Sequence, residues 1–225
     1  MINEDHVART VEKITEYSKQ KGNKSKFGCL SPPLFASIPV HRVVPDTLHL
    51  FKRISDQLIN HLLVELKTFD NIKNCSASFD VKSCAHIYRF ESFIQSLGIE
   101  WSFSVDTITK LVTARDFTGP ELWKIVSNIS LVDFTPCHSK LASLNKIWIN
   151  FFNLINTLKY TLSTEEIITF DQSAKKWVEL FCEVYLKKDV TPYMHVLSHH
   201  VAESLQLNGG ILSQLSQEGL EKLND

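Results

Sequence analysis

Between Asp46 and Phe69 apolar side chains return every three or four residues: Leu48, Phe51, Ile54, Leu58, Leu62 and Leu66. That step follows the turn of an α-helix and leaves one apolar stripe along it, so this stretch predicts a long amphipathic helix that needs other elements to cover it. Asp46, just ahead of the first periodic residue, is placed to cap its N-terminus.

The same chemistry recurs downstream. A helix is expected near residues 84–97, closed by Gly98. Thr118-Gly-Pro-Glu121 offers a threonine cap, a proline in the first turn and a glutamate at the third position, and opens a helix to about Ser127. Pro136 or Ser139 opens a long helix through Trp148, Phe151, Phe152 and Ile155 to about Leu162. Ser163-Thr-Glu-Glu166 is a capping box before a helix with Phe170, Ala174, Trp177, Phe181 and Tyr185 on one face. Thr191-Pro192 starts a helix bearing three histidines, which Gly209-Gly210 ends, and a last short helix begins near Ser213.

Fewer segments depart from helix. Residues 2–20 read as a polar helix ending in a basic linker with Lys19, Lys21, Lys24 and Lys26. The proline-dense stretch that follows favours extended chain, with IPVHRVV as a short strand or a segment laid over a helical core. WSFSVDTITKLVTARD alternates β-formers around Asp106-Thr107 and predicts a small hairpin. The expected fold is mainly α, a multi-helix region with one small β-hairpin.

Composition bounds the function. The 225 residues are long enough for a sizeable core, and 44% hydrophobic with 22% charged residues is globular rather than disordered. A formal net charge of −1 argues against a broad polyanion-binding surface, leaving only a local patch at Lys19–Lys26. Cys29, Cys75, Cys84, Cys137 and Cys182 are odd in number, scattered and without a C-x-x-C pair, the pattern of free thiols in a reducing compartment. The charged start is no signal peptide and no apolar run spans a bilayer, so an intracellular protein is expected. No phosphate loop, nucleophile elbow or H-E-x-x-H points to a small-molecule substrate.

The residues with metal chemistry gather in the last segment. His195 and His199 lie one helical turn apart and can share a face; His195 and His200, five apart, are separated by roughly 140° on an ideal helix and need a bend or an offset site to converge. Either pair would leave a zinc site two ligands short, and surface or structural histidines are the plainer reading. Glu218 and Glu221 are candidate metal carboxylates or ordinary exposed glutamates. Asp46 beside His49 suggests acid–base chemistry, but the helix cap already explains Asp46. His49 and His61 read as helix-surface or half-buried residues, and the aromatic helices are spaced for packing rather than base stacking.

Four stretches, PPLFASIPVHRVVPDTLHLF, ARDFTGPELW, HSKLASLNKIWINFFNLIN and TPYMHVLSHHVAESLQLNGGILSQLSQEGLEKLND, together resemble in order the C-terminal part of transposase-derived proteins. These are related to the catalytic subunit of the V(D)J recombination-activating complex and to Transib transposases. The resemblance runs from about residue 27 to 225, with residues 1–26 as an N-terminal helix and linker. It implies an insertion region from a larger RNase H-like DDE transposase, acting on nuclear DNA by metal-dependent cleavage and strand transfer. Carried onto this chain, His195 and His200 match two zinc-binding histidines, Glu221 matches a glutamate that ligates Mg²⁺ or Mn²⁺, and Glu218 matches its non-catalytic neighbour. The family's two catalytic aspartates and its C-x-x-C have no counterpart in these residues, so the expectation is a catalytically incomplete fragment or domesticated remnant. The alternative is a helical protein-interaction module, self-associating or binding a protein partner; DNA binding without catalysis is a third reading.

Overall fold

The structure, a computed structural model, describes residues 10–20, 31–34, 36–38, 43–70, 85–105, 112–131 and 141–213. The chain divides into two units, Met1–Pro45 and Asp46–Asp225.

In the first unit, α1 (Val11–Lys19) is capped by Thr10, whose hydroxyl accepts the Lys13 amide at 3.3 Å, and none of its residues is buried. The described residues agree with the expected polar helix. Residues 2–9 of that helix, and residues 39–42 of the expected strand, lie outside the description; Val43 and Val44 are in no strand.

The second unit is mainly helical. Its core helix α2 (Thr47–Phe69) follows the apolar period and buries Leu50, Phe51, Ile54, Leu58, Leu62 and Leu66. Asp46 caps it, with a carboxylate oxygen accepting the Leu48 amide at 3.1 Å. Around α2 pack α3 (Ala85–Ser96), α4 (Gly119–Asn128), α5 (Leu141–Thr157) and α7 (Pro192–His199). The long α6 (Thr164–Val184) lies against α5, α7 and α8 (Val201–Leu207). Phe51 stacks on Trp123 of α4 at 4.3 Å, and Lys159 lies 3.6 Å over the same indole, so one aromatic ring joins three segments.

Between α3 and α4, β1 (Phe103–Val105) pairs antiparallel with β2 (Val112–Ala114), Phe103 opposite Ala114. The expected turn at Asp106-Thr107 lies outside the described residues. Beside the strands Trp101 packs between Phe103 and Phe117 and donates its indole N–H to the Arg115 carbonyl at 3.0 Å.

Two helix boundaries differ from the sequence reading. The helix expected to reach Leu162 ends at Thr157, where Leu158, Lys159 and Tyr160 tighten onto carbonyls three residues back. Leu162 then gives its amide to the Gly210 carbonyl at 2.9 Å, a tertiary bond that a continuing helix would forbid. The single helix expected from Thr191 to Gly209 is two helices, broken at His200, whose backbone (φ −124°, ψ −23°) leaves the helical region. The buried Ser198 hydroxyl next to the break donates to the Met194 carbonyl at 3.0 Å, a local bond that competes with the helical ladder and bends helices. The opening of α5 and the last helix expected near Ser213 fall outside the described residues.

Candidate metal centre

The segment carrying the histidines is built from its ends inward. Thr191 caps α7 by accepting the Met194 amide at 3.3 Å, and Pro192 occupies the first turn, where its missing N–H costs nothing. Met194, Leu197 and Ser198 face inward on α7, and Val201, Ser204 and Leu205 do so on α8. These inward faces rest on α6 and, for α7, also on α2, which leaves His195 and His200 exposed and His199 half-buried.

His195 and His199 lie one turn apart within α7, and the break at His200 sets where the third ring falls. His195 and His199 stack with centroids 4.5 Å apart and planes at 25°. His195 and His200 meet edge to face, with centroids 5.2 Å apart and planes at 78°. His199 is further committed, since its Nδ1 lies 2.7 Å from the Ser198 hydroxyl. That hydroxyl also lies 3.0 and 3.3 Å from the Met194 and His195 carbonyls, so the imidazole tautomer sets which group donates in the Ser198–His199 contact.

Among the described residues no group of three or more histidine, cysteine, aspartate or glutamate side chains is placed to hold a metal ion. The donor chemistry of two imidazoles fits zinc, but as half of a four-ligand shell. Glu218 and Glu221 lie outside the described residues, as do Cys29, Cys75, Cys84 and Cys137; Cys182 on α6 is a half-buried free thiol.

Other residues singled out in the sequence have structural settings. His49 sits on the first turn of α2 with Nδ1 paired to the Asp46 carboxylate, so their bond is part of a helix start. Of the aromatics at core spacing, Trp148, Phe151, Trp177 and Phe181 are buried and Phe152 and Tyr185 half-buried, and the Trp177 indole donates to the Ile147 carbonyl at 2.9 Å. His61 proves less peripheral than a surface reading suggests. Its ring stacks on Tyr185 at 4.2 Å, meets Phe181 at 5.7 Å and contacts the Gln57 carboxamide at 3.0 Å. Burial there lowers the His61 pKa, with Asp189 pulling the other way. Burial likewise raises that of the Tyr185 phenol, and the charge of Glu65 adds to the rise. The sequence signal was present, since His61 lies three residues after Leu58 on the apolar stripe, but its aromatic partners come from α6.

No helix among the described residues is long and apolar enough to cross a membrane. No known family's sequence profile matches the chain, and comparison with curated proteins and with solved structures yields no match, so none of the three links it to transposases.

Proposed function

We propose that this chain is a helical module of transposase-derived type. In this reading His195 and His200 supply two zinc ligands, and Glu221 supplies one carboxylate of a metal-dependent DNA-cleaving centre. The remaining ligands come from another polypeptide or from sequence outside these residues. By itself the chain is catalytically incomplete, because a two-metal phosphodiester site needs carboxylates from several elements. An RNase H-like parent fold, the hairpin between α3 and α4, nuclear DNA as target and Mg²⁺ or Mn²⁺ as the catalytic ion belong to this proposal.

The observation that supports it is the break at His200. Two imidazoles bound at about 2.0 Å to one tetrahedral zinc have ring centroids about 5 Å apart and rings turned out of a common plane. The His195–His200 pair, at 5.2 Å and 78°, has that relation. The His195–His199 pair is closer, at 4.5 Å, and stacked, with planes at only 25°. An unbroken helix would instead have set His200 on a different face from His195.

Zinc titration of the purified full chain by calorimetry tests the assignment. His195→Ala and His200→Ala are each expected to weaken zinc binding at least tenfold, and His199→Ala to change it by no more than about twofold. Loss with His195→Ala and His199→Ala but not with His200→Ala moves the site to the other pair, and no zinc binding in the parent chain rejects it. Nicking of supercoiled DNA by the isolated chain with Mn²⁺ would refute its incompleteness.

A further inference from the structure

Helix α6 doubles back along α5 and leaves a groove of about 410 Å³ between them. Buried Leu154, Leu162 and Phe170 form its floor. Its walls are polar. Asn150 and Asn153 stand one turn apart on α5, and Ser173 and Lys176 one turn apart on α6. The indole–carbonyl bond from Trp177 to Ile147 sets Lys176 at the Asn150 end, and Glu166 lies at the other, where the two helices join.

Other polar side chains on these helices, three of them lining the same groove, are already engaged. Thr157 and Thr169 donate to carbonyls of their own helices, Lys175 pairs with Asp171 at 2.7 Å, and Glu166 accepts the Ser163 amide at 2.7 Å. By contrast, no hydrogen bond or ion pair within the described residues involves the side chains of Asn150, Asn153, Ser173 or Lys176. One groove therefore gathers two carboxamides, a hydroxyl and a cation with their bonding capacity open.

We propose that this groove binds an extended peptide segment of a partner protein, with an acidic residue against Lys176 and a basic residue toward Glu166. A carboxamide both donates and accepts, which matches the alternating N–H and C=O of an extended backbone. Lys176 and Glu166 are ten residues apart on α6, roughly 15 Å along the axis, the span of four to five extended residues at about 3.3 Å each. The apolar floor takes a side chain between the charged ends. Nucleic acid fits less well, because Lys176 is the one cation among the described residues that line the groove and Glu166 would repel phosphate. This surface is separate from the histidine pair, so it stands or falls without the zinc assignment.

Panning a phage-displayed random heptapeptide library on the full chain tests it. The expected outcome is enrichment of peptides with an acidic residue four or five positions from a basic one. Synthetic versions are expected to lose at least tenfold in affinity with Lys176→Glu and severalfold with Asn150→Ala or Asn153→Ala. Gln172→Ala, an exposed change outside the groove, is expected to leave binding unchanged. All four substitutions are at exposed positions, and circular dichroism of each variant verifies that the helices persist. No enrichment, enrichment without the charge pattern, or affinities that ignore Lys176 and both asparagines would overturn the proposal.

Discussion

Gly210 has φ +84°, and a Cβ built on it would lie 2.0 Å from the Leu162 carbonyl oxygen. Gly209 also has a positive φ, +65°, but its Cβ would meet nothing within 4 Å. The two neighbours therefore separate backbone strain from steric conflict. At Gly209 an alanine meets the left-handed penalty alone, about 1 kcal/mol. At Gly210 it must also displace the backbone that joins the α5–α6 connection to the end of α8, through Leu162 N–H to Gly210 C=O and Gly210 N–H to Leu205 C=O. Urea unfolding is expected to show Gly210→Ala costing at least about 2 kcal/mol more than Gly209→Ala. Equal costs would mean that this contact yields without resistance. A Gly-Gly pair reads as a helix stop from sequence, yet its partner, Leu162, lies 48 residues away and leaves no local trace.

At the scale of elements, helix starts set by nearby residues were legible and those set by distant ones were not. Asp46 and Ser163 cap α2 and α6 as their spacing announced, with Ser163 accepting the Glu166 amide at 3.3 Å. Thr118 is a partial exception: its amide and its hydroxyl both donate to the Glu121 carboxylate, so the threonine uses its proton where the usual box uses its lone pair. The start of α3 is held by Asp70, the residue that ends α2, whose two carboxylate oxygens accept the His86 and Ile87 amides at 3.1 and 2.8 Å. Sixteen residues separate donor from acceptor, so no cap pattern could reveal it. Asp70→Ala is expected to cost about 1–2 kcal/mol. Hydrogen exchange should localise the effect, speeding the His86 and Ile87 amides more than those of α6; uniform protection loss would deny Asp70 its capping role. The break at His200 was illegible for a related reason. Its neighbours include no proline or glycine, and helix interruption there goes with burial of both flanking faces and the Ser198 bond to Met194. Of the candidate site, the sequence singled out side chains of metal-ligating type but not how the rings of His195, His199 and His200 would meet.

For the molecule as a whole, stability against pH joins settings far apart in the fold. Glu121 is held to a pKa of about 2, first by its hydrogen bonds from Arg115 at 2.6 and 3.0 Å, and further by the Thr118 amide and hydroxyl, with partial burial opposing. A depressed carboxylate pKa means that the unfolded chain takes up its proton first as pH falls. The contribution of Glu121 is thus complete above about pH 4.5 and is lost as the pH drops toward 2. His61 behaves alike in sign but at higher pH. Its lowered pKa makes the folded state the poorer proton binder, so its contribution is present above about 6.5 and is lost as pH falls through its folded value. Asp56 runs the other way: burial raises its pKa, outweighing the pull of Lys52, so its neutral form favours the fold and that contribution fades as pH rises through its folded value. Acid unfolding should therefore begin near neutrality with His61 and steepen below pH 4.5 with Glu121, against an opposing slope from Asp56. The stability difference between the parent chain and His61→Phe, which retains a ring to stack on Tyr185, is expected to shift in favour of the variant as pH falls from 7 to 5. The difference from Glu121→Gln is expected to stay flat there and to shrink only below 4.5. A His61→Phe difference that does not vary from pH 7 to 5 would show that the imidazole titrates as freely in the folded chain as in the unfolded one, and that its packing between α2 and α6 leaves its charge fully hydrated.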